Sequence, residues 1–224
     1  MTISVVLPCR NEEQAIGICL RKIKKALQGR DYEIIVSDSS NDRSAAAARK
    51  LGAKVVKAGE GYGNALLEGF RHAQGSYVVM GDDDNSYDFL EIPKLIRELD
   101  SGYDLVIGSR LRGRIEKGAM KPLHRHIGNP LLTGIFNLLF RTRLSDTHSG
   151  FRAIRADALR KLNLKSPGME FALEMLIRAA KARMKIREIP INYYRRIGQS
   201  KLRSFRDGMR HLGMMAGNLE VRRQ

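Results

Sequence analysis

Residues 76–88 read Ser-Tyr-Val-Val-Met-Gly-Asp-Asp-Asp-Asn-Ser-Tyr-Asp. An apolar run, Tyr77 to Met80, ends in a loop with four carboxylates, Asp82, Asp83, Asp84 and Asp88. A short apolar run without alternation is the pattern of a strand buried on both faces. Like charge crowded at the end of such a strand is costly unless a cation shares it. Standing alone, an Asp triplet would read as a solvated turn in which Ser86 or Asp88 caps the next helix. Its neighbours in the chain decide against that.

Working outward, the same kind of run recurs at ISVVLP (3–8), EIIVSD (33–38), AKVVKA (53–58) and YDLVIGS (103–109), with helical patterns between. Ile16, Leu20, Ile23 and Leu27 recur on one helical face, and Asn11 with Gln14 reads as that helix's start signal. Strand alternating with helix implies crossover units and a doubly wound, mostly parallel α/β sheet. Ligands of such sheets sit beyond the carboxyl ends of the strands. That directs attention to Asn11 and Glu12, Asp38, Asp82 to Asp84, and Ser109 with Arg110.

After residue 110 the regularity weakens into a loop rich in Gly, Arg and Pro (112–130). An apolar segment follows, then a helix striped by Met169, Leu173, Leu176 and Ala180, and a last basic helix at about 202–218. We read one domain over 1–224, in which residues 111–224 form a basic, substrate-side extension of residues 1–110. The formal charge of +16 is lopsided: residues 1–100 carry 14 Lys and Arg against 15 Asp and Glu, the remainder 26 against 9. The second half therefore suits an anionic partner. With 6% aromatic residues, no Trp and no basic recognition helix, a nucleic acid is not expected as that partner. Cys9 and Cys19 lack ligand spacing, so a reducing, cytosolic setting is expected. The N-terminal run lacks a basic leader, so no signal peptide is expected. The 127–140 segment is too short to span a bilayer and fits a buried or interfacial helix flanked by Arg125, Arg141 and Arg143.

Hard oxygen ligands that leave room for substrate phosphates suit Mg²⁺ or Mn²⁺. In an extended segment Asp82 and Asp84 project to one side and Asp83 to the other, which makes Asp82 and Asp84 the candidate ligands. Arg110, Arg125, Arg196 and Lys201 are candidates for holding phosphates with their cationic groups. Asp146 serves either to pin its loop or to assist at the acceptor. His124, His126 and His148 show no metal-ligand pattern and read as structural, and Gly61-Tyr62-Gly63 as a phosphate cradle or a tight turn.

Seven motifs stand in one order: Leu7 to Glu12, Asp38 to Asp42, Gly61 to Ala65, Gly81 to Phe89, Gly108 to Arg110, Asp146 to Arg152, and Arg196 to Leu202. In that order the chain resembles, over nearly its whole length, the family 2 glycosyltransferases of GT-A fold. Within them it is most similar to the branch of dolichol-phosphate mannose and polyprenyl-phosphate glucose synthases. The resemblance implies that Pro8, Asn11, Glu12 and Asp38 line the nucleotide pocket and that Asp82 and Asp84 are the metal-binding pair. It implies that Arg110 meets the acceptor phosphate and that Arg196, Ser200 and Lys201 close over the donor. Two departures stand out: Ser37-Asp38-Ser39-Ser40 lacks the family's usual Gly, and Asn85 replaces an acid or Gln.

The expected reaction moves a hexose from a nucleotide diphosphate sugar, UDP-glucose before GDP-mannose, to a lipid phosphate with inversion. The expected setting is the cytoplasmic membrane face, peripherally, with homo-oligomerisation left open. A lipid monophosphate is already anionic near neutral pH, its second pKa being about 6, so no strong general base is required. Transfer to a soluble sugar or small molecule is the alternative within the family.

Overall fold

The computed structural model describes residues 1–198 and 204–218, without the side chains of 204–207. Strand β1 (Ile3–Cys9) is flanked by β2 (Tyr32–Asp38) and β4 (Tyr77–Met80), both parallel to it. Alternate β1 residues Ile3, Val5, Leu7 and Cys9 enter one apolar core, and Val6 enters the other. That two-sided burial is why these strands are continuously apolar in sequence. Strand β3 (Lys54–Lys57) pairs with β2 at the edge. Strand β5 (Leu105–Ser109) completes the five strands expected from sequence.

Two further strands belong to the half read as irregular. Strand β6 (Arg152–Arg155) enters antiparallel between β4 and β5, and β7 (Ile186–Pro190) lies parallel beside β5. The sheet order is β3-β2-β1-β4-β6-β5-β7. The antiparallel insertion positions the site. Because β6 runs backwards, its first residue Arg152 is level with Met80 and Ile107, near the carboxyl ends of β4 and β5. The loop of residues 145–151 is thereby delivered to the edge where the acidic loop lies.

One face of the sheet is covered by α1 (Ile16–Ala26), α2 (Ser44–Lys50) and α4 (Ile92–Asp100). The other is covered by α3 (Tyr62–His72), α5 (Asn129–Phe140), α6 (Ala156–Leu162), α7 (Phe171–Lys181) and α8 (Ser204–Gly217). The stripe expected on α7 was too narrow: residues 171–177 and Ala179 are all buried, because the helix is packed between the sheet and its neighbours. The expected start of α1 is corrected. Its cap position is Ala15 without a side-chain bond, while Asn11 adopts a left-handed conformation (φ 55) and accepts the Asn41 amide at 2.9 Å. Asn11 thus ties the ends of β1 and β2 together. No described helix is long and apolar enough to cross a membrane.

Candidate active site

The carboxyl ends of β1, β2 and β4 bring Glu12, Asp38 and the acidic loop to one edge. Alternation holds through the triplet. Asp83 turns inward beside Cys9, and the Cys19 thiol donates to its carbonyl at 3.3 Å. Asp82 faces the other way, against the Tyr62 hydroxyl, where a Cβ added at Gly150 would come within 3.2 Å of its Oδ1. Gly150 is therefore what allows the loop of residues 145–151 to lie over Asp82.

These carboxylates are poorly satisfied. Asp38 Oδ1, Asp82 Oδ1 and Asp83 Oδ2 are sealed from water without a hydrogen-bond partner. Burial, reinforced by the neighbouring Asp84, pushes the Asp82 carboxyl up to about 7. Burial also holds Asp83 well above the ordinary carboxylate range. Asp84 Oδ1 accepts the Ser86 amide at 2.9 Å, and its Oδ2 lies 3.2 Å from Arg196 Nη1. Arg196 Nη2 donates to Glu12 Oε1 at 3.1 Å, so one guanidinium spans both acids. Arg196 is held there by its strand-like neighbours: Ile197 N donates to Asp84 O at 2.9 Å and Tyr194 N to Ser86 O at 2.8 Å.

The β5 side is built differently. Arg110 Nε and Nη2 grip Asp146 at 2.7 and 2.8 Å, and the Arg110 amide donates to the same carboxylate at 3.1 Å. Its guanidinium also stacks 5.3 Å from the Tyr193 ring. Burial alone would raise the Asp146 carboxyl, but Arg110 pulls it below the usual range. Glu188 on β7 accepts the Ser145 and Asp146 amides at 2.8 and 2.9 Å, fixing the loop that carries this pair.

Pro8 is half-buried in β1 opposite Ser37, one residue before the Asp38 level. Arg125 is not brought in: it is exposed on a π-helical turn (His124–Gly128) ahead of α5, because that turn directs it to solvent. Ser200 and Lys201 lie outside the described residues. The Gly61-Tyr62-Gly63 segment is a packing device. A Cβ on Gly63 would meet Ser166 O, and Asn64 N donates to Pro167 O at 3.1 Å, so the loop of residues 166–167 fills the place proposed for phosphate.

Three contributors were not singled out from sequence. Tyr62 stands in a Gly-flanked turn, Tyr193 reaches Arg110 across 83 residues, and Glu188 lies in a strand without a clear sequence signal. The Arg152 guanidinium is fully buried and donates to the carbonyls of Ser149, Thr147 and Ala172. Burial lowers it to about 10. An Arg in so short a strand gave no pattern to read.

As a unit, the edge sets the incompletely satisfied carboxylates Asp38, Asp82 and Asp83 beside Asp84, which is paired with a braced arginine. The comparisons with known proteins agree with that chemistry. The family model described as Glycosyl transferase family 2 matches residues 4–162. A low-salt glycan biosynthesis hexosyltransferase of Haloferax volcanii is 45% identical over 97% of this chain, which spans 54% of that relative's length. A dolichyl-phosphate hexose transferase of the same organism is 35% identical, with 92% of this chain and 89% of that protein covered. Glucosyl-3-phosphoglycerate synthase of Mycobacterium tuberculosis, solved with Mn²⁺, UDP-glucose and phosphoglyceric acid, superposes with a TM-score of 0.75 at 26% identity over 96% of this chain and 80% of that one. The sheet is that of the GT-A fold, and the chain belongs to the family 2 glycosyltransferases.

Proposed function

We propose that this chain transfers a hexose from a nucleotide diphosphate sugar to a polyprenyl phosphate at a membrane surface, with UDP-glucose the first donor to test and GDP-mannose the second. The observation that carries the reading is the unsatisfied acid at the strand ends, with the Asp82 and Asp38 oxygens sealed and unpartnered. Hard carboxylate oxygens suit Mg²⁺ or Mn²⁺, and Asp82 and, once Arg196 turns to the donor phosphates, Asp84 are the residues that would hold it. Such an ion, when bound, neutralises charge on the departing nucleotide diphosphate.

Asp38, at the end of β2, is suited to accept hydrogen bonds from the base, with Pro8, Asn11 and Glu12 shaping the pocket around it. Arg196 already lies across Glu12 and Asp84, and it is placed to exchange those acids for donor phosphate oxygens. Arg110, oriented by Asp146, is suited to meet the acceptor phosphate with its guanidinium. Since the acceptor phosphate is anionic, positioning and charge neutralisation suffice and no side chain need remove a proton. The relatives described as dolichyl-phosphate hexose transferase and dolichol-phosphate mannosyltransferase support the lipid acceptor. The synthase solved with phosphoglyceric acid supports a small phosphorylated acceptor as the second reading.

The test is a transfer assay with both nucleotide sugars against polyprenyl phosphate and water-soluble acceptors, with Mn²⁺ present. Asp84→Ala is expected to lose at least about 10²-fold in rate. Transfer at the wild-type rate by that variant, or transfer to soluble acceptors alone, overturns the proposal.

A further inference from the structure

We propose that the outer face of the helical segment at 122–140, together with the adjoining face of α8, rests on an anionic lipid surface and so sets the acceptor side of the site against the headgroups. This rests on the reading of a lipid-phosphate acceptor and adds where and how the protein meets that lipid.

Leu123, Ile127, Leu131 and Leu138 are 63%, 57%, 60% and 81% exposed. Their spacings of four, four and seven fall within about a quarter of the circumference of a 3.6-residue helix. They form one continuous apolar stripe. The opposite face is spent on the core through Thr133, Phe136 and Phe140. On α8, which packs beside α5, Met209 and Leu212 are also exposed, at 56% and 37%. Contiguous exposed apolar surface of this kind marks an interaction site.

Charge selects the occupant. From residue 117 to residue 145 the chain contains no Asp or Glu, and its charged residues are Lys117, Lys121, Arg125, Arg141 and Arg143. Arg125 stands at one end of the stripe, and Arg141 and Arg143 at the other; all three are exposed. A self-complementary contact between two copies would bring these cations together. Anionic headgroups accept all of them while the leucines enter the acyl boundary.

The face is also coupled to the site. Thr133 and Thr147 hydroxyls lie 3.0 Å apart. The Asn137 amide accepts Leu144 N at 2.9 Å and donates to Leu144 O at 2.7 Å. Helix α5 thus holds both flanks of the loop whose Asp146 grips Arg110, so seating its outer face fixes where Arg110 stands relative to the lipid.

The experiment is co-sedimentation with phosphatidylglycerol–phosphatidylcholine vesicles and with pure phosphatidylcholine vesicles, for the wild type and for the double variant Leu131→Asn, Leu138→Asn. Both positions are exposed, and unchanged nucleotide binding by calorimetry confirms that the variant folds. The wild type is expected to bind the anionic vesicles, and the variant to lose at least about tenfold in partitioning. Arg141→Gln with Arg143→Gln is expected to erase the preference for anionic over neutral vesicles. Wild-type protein that ignores vesicles, or a variant that binds them equally, overturns the proposal; so does a wild-type dimer that the leucine variant dissociates. Transfer separates this from the acceptor reading. The leucine variant should fail on acceptor embedded in vesicles yet match wild type on short-chain acceptor dispersed in detergent. If neither protein transfers to lipid phosphate while vesicle binding still depends on the leucines, the docking face stands and the acceptor assignment falls.

Discussion

Asp82 follows the end of β4 and Asp146 lies in the loop that leads into the neighbouring β6; both carboxyls are buried, and their surroundings push them in opposite directions. Asp146 accepts the Arg110 amide and two guanidinium nitrogens, and the His148 amide at 3.3 Å, and is held below the usual carboxylate range despite its burial. Asp82 has one oxygen without a partner and an acidic neighbour, and is pushed up to about 7 by burial first and Asp84 second. The folded chain has satisfied one carboxylate and left the other in want of a charge. A saturated buried carboxylate is a structural element, whereas an unsatisfied one beside a second acid is poised for a ligand. The end of β4 is thus left with an unsatisfied carboxylate, while the Arg110–Asp146 pair is pre-assembled.

Removing the saturated member is expected to have the largest effect. Asp146→Ala leaves the guanidinium of Arg110 buried without its counter-charge, a change that typically costs about 3–5 kcal/mol. Urea unfolding should show a loss of that size, with transfer falling in parallel because the loop of residues 145–151 loses its anchor. A variant as stable as wild type would mean that Tyr193 and water carry the charge instead, and the contrast would fail.

Asp82→Asn is the opposite case. Removing an unsatisfied charge beside Asp84 should leave metal-free stability unchanged or raised, while transfer falls by about 10²-fold. Thermal unfolding measured with and without Mn²⁺ and nucleotide diphosphate checks both halves. Wild-type protein should be stabilised by the additions and the variant should not. Equal destabilisation by Asp82→Asn and Asp146→Ala would show that both carboxylates are structural.

The same contrast governs what could be read in the sequence. Strands β1, β2 and β4 are buried on both faces by neighbours on either side, so their identity is written in uninterrupted runs such as Val78-Val79-Met80. Their polar ends, Asp38 and Asp82 to Asp84, were legible for the same reason, because each follows such a run. Strand β6 is Arg-Ala-Ile-Arg, and its first residue is a buried arginine satisfied by carbonyls 3, 5 and 20 residues away. No local period announces that. The Arg110 pair and its support are assembled from partners far apart in the chain: Arg110 with Asp146 across 36 residues, and Ser145 with Glu188 across 43. Single residues there, Arg110 and Asp146, could be nominated, but their mutual saturation follows only from the antiparallel insertion of β6. Arg125 is exposed on its helical turn, and a basic residue there is written alike in sequence whether it faces a site or solvent.

His148 provides the finest test, because it lies between the two regimes. Its ring is buried in the same pre-assembled loop, 4.9 Å from the His211 ring of α8, and faces Asp146, Arg110 and Arg152. Burial, with His211 second, lowers it from 6.5 to about 3, against the opposing pull of Asp146. In the unfolded chain the imidazole takes a proton near 6.5, while in the folded protein it stays neutral down to about 3. Between those values the unfolded state binds the extra proton, so stability falls as the pH drops through that window, by roughly 1.4 kcal/mol per unit from this residue. From pH 6.5 to pH 5 the His148 contribution is therefore about 2 kcal/mol. His148→Gln removes the titration and should flatten the stability profile by that amount relative to wild type, while leaving the profile above pH 7 unchanged in slope. Parallel wild-type and variant profiles between pH 5 and 6.5 would mean that the imidazole charges without cost in the folded loop. The loop of residues 145–151 would then be as loosely satisfied as the acidic loop, and the division between a saturated and an unsatisfied half would not hold.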